Sequence, residues 1–396
     1  MTTALRDAAP PADNADVAQV AHPRPLAGSL AALRRTGEIG LFGVAPVLLA
    51  LAVIVGAIGN RYAFDFHGAL WQSARDVLEG RNPYPPATHA GIAPGDRFVY
   101  PPPVAILLIP LGALPFPLAA GIITVVLLAA VAATLAVLGV RDWRCYGAAY
   151  LSIPVLHDVR LGALTPLLAL GLALAWRWRA HARAAIPLAL IVVAKLFLWP
   201  LAVWLVATGR FRIAWRGAAL AVGASALGWA IIGFAGLADY PELLRVLADA
   251  EQGRGYSLVA AGLALGLGPE AARAAAFVVG AGLIALCWRE GRRGFDERSL
   301  ALALAAALAL SPIVWLHYFV LLLVPIALAR RTFGAIWLIP ALFWITPFEE
   351  NFGADWRIAA GIGIAALALG SAGRTSAEPD GASGAPAGAR QYDPAL

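Results

Sequence analysis

The chain of 396 residues is 60% hydrophobic and 14% charged, with a mean hydropathy of +0.74 and a formal net charge of +6. Soluble domains carry about 25% charged residues, so a soluble enzyme or binding module is excluded and an integral membrane protein is implied. The apolar runs lack period-2 alternation, which excludes an outer-membrane barrel in favour of helices. The basic residues lie in short loops between those runs, so the positive charge is not a nucleic-acid signature.

Residues 1–36 are polar and rich in Pro and Ala, without a signal-peptide pattern, and read as a disordered tail. A first span is expected at about 41–59. It is followed by "RYAFDFHGALWQSARDVLEGRNPY", where the pattern predicts an amphipathic helix over 66–79 starting just after Asp65. Asp65, between Phe64 and Phe66, suits equally a helix N-cap and a carboxylate base at the membrane surface. His67 is either a helix-start residue or part of a site, whereas Asp76 and Glu79 fall on the solvated face. "PPPVAILLIPLGALPFP" is short and broken by prolines, and a long run to residue 140 precedes the loop "RDWR".

"YGAAYLSIPVL" leads to the polar turn "HDVRLG", carrying His157, Asp158 and Arg160, and "LTPLLALGLALA" leads to "WRWRAHAR". Residues 185–208 are too long for one span and too short for two, and read as two short helices meeting near Lys195 and Trp199–Pro200. Further runs lie at about 218–237, 271–287, 300–310, 318–329, 334–345 and 358–369, and residues 373–396 read as a second disordered tail. The expectation is an all-α polytopic domain over 37–372. It has about 12 crossings, with 103–114 and 257–267 re-entrant or interfacial. Cys145 and Cys287 each adjoin an arginine-rich loop, which argues against a disulfide.

With the N-terminus placed in the cytoplasm, both tails and the loops 141–144, 177–183, 210–216, 289–298 and 330–331 fall inside. They hold 20 of the 30 basic residues. The other face receives 61–100, 157–162, Lys195, 237–256, 311–317 and 346–357, which with Arg273 hold the remaining 10 basic residues. That outer face collects the groups capable of chemistry. Lys195 is the only lysine among the 30 basic residues and stands in an apolar run. Ionisable groups at membrane depth mark function by default, although Lys195 could snorkel to an interface. His317 in "SPIVWLHYF" is a site residue or belongs to an interfacial aromatic belt with Trp315 and Tyr318. His157 and Asp158 are site residues or a local pair. No DxD motif or cluster of His and Cys ligands suggests a metal site.

The order "FDFHGALWQSARDVLEGRNPYPP", "FVYPPPVAILLIPLGALP", a polar turn before "LTPLLALGLALAWRWR", "AKLFLWPLAVWLVATGRFR" and "SPIVWLHYFVLLLVP" resembles glycosyltransferase family 87 over about residues 41–370. The resemblance implies a GT-C fold and a membrane enzyme that takes its sugar from a polyprenyl phosphate. It implies Asp65 as general base, and Lys195 with His317 and Arg160 on the donor phosphate. His67, Tyr84, Tyr100, His157, Asp158, Trp315 and Tyr318 would line the substrates, without metal or other cofactor. The reaction it suggests is inverting mannosyl transfer from polyprenyl-phosphate mannose to a cell-envelope glycolipid or glycan, outside the cell membrane. Rivals are arabinofuranosyl transfer from a decaprenyl-phosphate donor, and a lipid or solute transporter. Absence of an evident internal repeat disfavours the transporter. The polar turn departs from the family's Gly-Gln…Asn pattern: Gly162 is kept, but Ala163 and Thr165 stand where amides are common. No proline directly follows Lys195.

Overall fold

The computed structural model describes residues 25–92, 97–345 and 355–375, and every regular element among them is helical. Helix α1 (Pro25–Ile39) passes through a π turn, Gly40–Val44, into α2 (Ala45–Ile58). Helix therefore begins inside the stretch expected as tail, because "LAGSLAALRR" is built of good helix formers. Residues 1–24 and 376–396, the rest of the expected tails, lie outside the described residues, and helix at the second boundary extends to Thr375.

Chain reversal after α2 uses Asn60 and Ala63, both with positive φ (57° and 63°). The predicted amphipathic helix follows as a π segment, Phe66–Trp71, and α3 (Gln72–Leu78). The Pro-rich stretch forms only the short pieces Pro102–Leu107 and Ile109–Gly112. A Cβ on Gly112 would lie 2.9 Å from that of Ala74, so the bare backbone lets α3 lie directly on this piece. Helix α4 (Phe116–Val137) then runs without a break. Its buried Thr124 and Thr134 satisfy their hydroxyls on carbonyls four residues back, at 2.7 Å each, which suits a helix with no water to bond.

Helices α5 (Ile153–Leu161) and α6 (Thr165–Arg177) form one broken unit bent by 118°. As the sequence predicts, 185–208 is split. Helix α7 (Ala185–Ala194) ends at Lys195, whose backbone is extended (φ −143°, ψ 99°), and a 3-10 turn leads into α8 (Pro200–Ala207). After α9 (Phe211–Ile231), the expected short element appears as Leu258–Ala264. The long α10 (Pro269–Arg292) pairs with α11 (Asp296–Leu310), and α12 (Asp355–Thr375) packs beside α11. Leu321, Val324 and Ile326, fully buried, mark the centre of the core.

Among the described residues three helices are long and apolar enough to cross a bilayer: Ala31–Ile58, Phe116–Val137 and Pro269–Arg292. The bent pair makes a fourth if it counts as one span. About twelve crossings were expected, and the full-length helices among the described residues do not confirm that number. The remaining apolar runs are cut by prolines and 3-10 turns into shorter pieces such as Leu316–Leu322 and Ala335–Ile345.

Polar contacts sort the loops into two groups. Asp296 receives Arg210 at 2.7 Å, Arg179 at 2.8 Å and the Trp204 indole at 2.6 Å. Asp142 caps its own helix and accepts from the Phe333 amide at 2.9 Å. The hydrogen bond from Arg144 holds the Asp142 carboxyl well down, at about 2. These are the loops the charge pattern places inside. The loops it places outside meet one another at the other termini of α6 and α11. Asp296→Ala would leave Arg179 and Arg210 facing each other with no shared anion. It is expected to cost about 2 kcal/mol, read as a lower unfolding temperature in detergent, with Asp296→Glu recovering part of the loss.

Candidate active site

The site is assembled on the turn between α5 and α6. Helix α5 ends at Gly162, left-handed at φ +73°, whose amide donates to the Asp158 carbonyl at 2.8 Å. Against this turn lies the reversal that carries Asp65. The Ala63 amide donates to the Arg160 carbonyl at 2.7 Å, and the Arg160 guanidinium lies 5.3 Å over the Tyr62 ring. Phe66 is fully buried, and a Cβ on Gly162 would come within 2.7 Å of the Phe66 Cβ. Gly162 therefore meets two demands at once, a left-handed backbone and close approach. Gly162→Ala is expected to push the Phe66 segment away and to lower turnover more than it lowers the unfolding temperature. Comparing the two in the same membrane preparation checks this.

Asp65 itself is already helical (φ −61°, ψ −39°) and makes no capping hydrogen bond. Of the two roles the sequence left open, capping is therefore not the one it plays. Phe66 anchors one flank while Phe64 is exposed. Asp65 lies near enough to Tyr100 for its charge to act on the phenol. Burial pushes the Tyr100 phenol up, outweighing the pull of Lys195, while Tyr318 and the Asp65 carboxylate add to the rise. Tyr100 thus stays protonated, a donor between an anion and a cation.

Lys195 occupies the break between α7 and α8. Its Nζ donates to the Tyr318 hydroxyl at 3.0 Å and sits 4.3 Å from the centre of the Tyr100 ring and 5.0 Å from that of Tyr318. Such an aromatic cage holds an ammonium by cation–π attraction. Phe197 stacks on Tyr318 at 5.0 Å and 8°, fixing that wall. His317, 3% exposed, stacks against His157 at 6.1 Å, and its Nδ1 has no protein partner. Asp158 is fully buried, with the Thr165 hydroxyl and amide turned towards its carboxyl group and Lys195 near enough to act on it. A buried imidazole nitrogen left open at this place is what a polar ligand would complete.

Residues 100, 158, 317 and 318, separated widely in sequence, are thus gathered around one ammonium, with His157 stacked on His317 and Asp65 acting on Tyr100. Trp315 flanks them, packed on Gly255. Two other residues expected to line substrate are placed elsewhere. Tyr84 is 8% exposed, stacks on Trp229 at 5.1 Å, and spends its hydroxyl on the Tyr100 carbonyl at 2.9 Å. It supports the Tyr100 backbone. His67 stands on an aromatic patch with Trp71 and Phe116, at 5.5 and 4.5 Å. Sequence reasoning missed Tyr240, whose hydroxyl holds the Val99 carbonyl at 3.0 Å, and Thr165 as a neighbour of Asp158. A tyrosine in the outer loop "LADYPELL" was the available signal for Tyr240. Among the described residues no three His, Cys, Asp or Glu side chains converge as a metal site.

Fold and site together define a membrane-embedded helical protein whose buried polar groups converge where helices break. Residues 98–316, more than half of the chain, match the family model of glycosyltransferase family 87, and the chain belongs to that family. It is therefore a glycosyltransferase, acting on a sugar donor and an acceptor. No curated protein and no solved structure matches it. The matched segment contains Tyr100, Asp158 and Lys195. Asp65 precedes it and His317 lies one residue beyond.

Proposed function

We propose that the protein transfers mannose from polyprenyl-phosphate mannose to a cell-envelope glycolipid or glycan, at the extracytoplasmic face of the cell membrane, with inversion. The observation that carries this reading is the caged Lys195 ammonium, with the Asp65 charge acting on the same Tyr100 that forms one wall of the cage. A lipid-linked sugar phosphate keeps its tail in the bilayer and presents an anion at its surface. A single fixed cation at a helix break, in a chain that otherwise uses arginine, suits that anion.

In the proposed reaction the Asp65 carboxylate takes the proton of an acceptor hydroxyl as its oxygen attacks the anomeric carbon. The bond from that carbon to the phosphate oxygen breaks, and the electron pair leaves with the lipid phosphate. Lys195 stabilises the charge gathering there, with His317 and Arg160 as further donors, so that no metal is needed. One base and one displacement give inversion, hence an α-glycoside from a β-linked donor. Tyr100, His157, Asp158, Trp315 and Tyr318 are assigned to lining the substrates. Both termini are placed in the cytoplasm by the 20-to-10 division of basic residues between the two groups of loops.

The test is transfer from labelled polyprenyl-phosphate mannose in membranes, with decaprenyl-phosphate arabinose run beside it and chelator added in a third arm. Product from mannose alone, unaffected by chelator, supports the reading. Transfer of arabinose alone would replace the sugar, and loss of activity on chelation would overturn the metal-free chemistry.

A further inference from the structure

A second concavity, of about 610 Å³, opens between α10, α11 and α12. Its walls are aliphatic, with Leu283 and Leu286 on one side, Leu302 and Ala305 at the back and Leu369 opposite. The two ends differ. One reaches Tyr256, Val314 and Phe319, and the other carries Arg289, Glu290 and Arg298. Glu290 is 7% exposed and is approached by Arg289 at 3.1 Å, Arg293 at 3.4 Å and Arg298 at 3.8 Å. With Glu297 counted beside Arg298, three guanidinium groups still outnumber two carboxylates, which leaves an excess of positive charge at this mouth. The neighbouring Asp296 does not offset it, because Arg179 and Arg210 already share that carboxylate.

Depth identifies the occupant. From Arg298 to Ala309, both in the lining, α11 rises roughly 16 Å. That is close to half of the roughly 30 Å hydrocarbon core, the depth of one leaflet. We infer that this groove binds an anionic phospholipid, with its phosphate at Arg289 and Arg298 and one acyl chain along α11. The charge surplus selects an anionic over a zwitterionic head group. A polyprenyl chain would overrun a groove of one leaflet's depth, and its phosphate would sit at the end of α11 remote from His317 and Lys195.

Delipidated, purified full-length protein is titrated with phosphatidylglycerol or phosphatidylcholine of identical acyl chains. Bound lipid is counted by native mass spectrometry and the unfolding temperature is measured in parallel. Phosphatidylglycerol is expected to stay bound and raise the unfolding temperature, and phosphatidylcholine to do neither. Arg289→Gln with Arg298→Gln should weaken phosphatidylglycerol binding by about 30-fold. Ala305→Trp fills the groove without altering charge and should abolish retention, which keeps the test independent should the arginine pair be needed for folding. Equal retention of both lipids, or unchanged phosphatidylglycerol binding in Ala305→Trp, would overturn the inference. So would displacement of phosphatidylglycerol by polyprenyl phosphate.

Discussion

Asp65→Asn is expected to lower sugar transfer by about 10³-fold, within the range that a positioned general base contributes. The substitution keeps the shape of the side chain and removes only its basicity. Asp65 makes no capping hydrogen bond, so the substitution removes no cap from the helix. Phe66 remains the anchor of the segment, fully buried against the turn at Gly162. The variant should therefore insert, purify and unfold like the parent while turning over little substrate. The measurement is single-turnover transfer with donor saturating, beside a melting curve of the same sample. Turnover within a few-fold of the parent would remove Asp65 from the chemistry. A large fall in unfolding temperature would instead make it a structural residue.

Lys195→Met is the second large effect. The ammonium is held by the Tyr318 hydroxyl and the faces of Tyr100 and Tyr318, and methionine fills similar volume without charge. Transfer is expected to fall by about 10²–10³-fold, as for loss of one group that stabilises developing charge, with donor KM raised. Lys195→Arg should recover little, because a planar guanidinium does not fit a cage formed around a compact ammonium. Tyr318→Phe removes one hydrogen bond and keeps the ring that Phe197 stacks on, so a loss of only several-fold is expected. Unchanged donor KM and turnover in Lys195→Met would leave Lys195 as a residue reaching for the membrane surface.

Much of this arrangement can be read from the chain before any coordinates. The length of 185–208 against bilayer thickness places a break at Lys195, and α7 ends there. The amphipathic pattern after Asp65 gives the helix within two residues, and the arginine loops that charge groups together are the ones whose side chains meet at Asp296 and Asp142. What was not legible depends on partners distant in sequence. Whether Asp65 caps or not turns on the left-handed Ala63 and its bond to Arg160, about a hundred residues on. Tyr84 looks like a lining residue until Trp229 and the Tyr100 carbonyl claim its two faces of chemistry. Hydropathy counts apolar runs, not helix lengths, so prolines and 3-10 turns that shorten the late segments escaped the span count.

The break at Lys195 also has a use outside catalysis. It holds the sole lysine side chain of the sequence, half-buried between two tyrosine rings. Reagents that acylate side-chain amines therefore have one target in this protein, inside the site rather than on the surface, and they reach it slowly through the small deprotonated fraction that the cage leaves. Occupancy can be followed as protection of a single residue from labelling, with no cysteine introduced and no reporter attached.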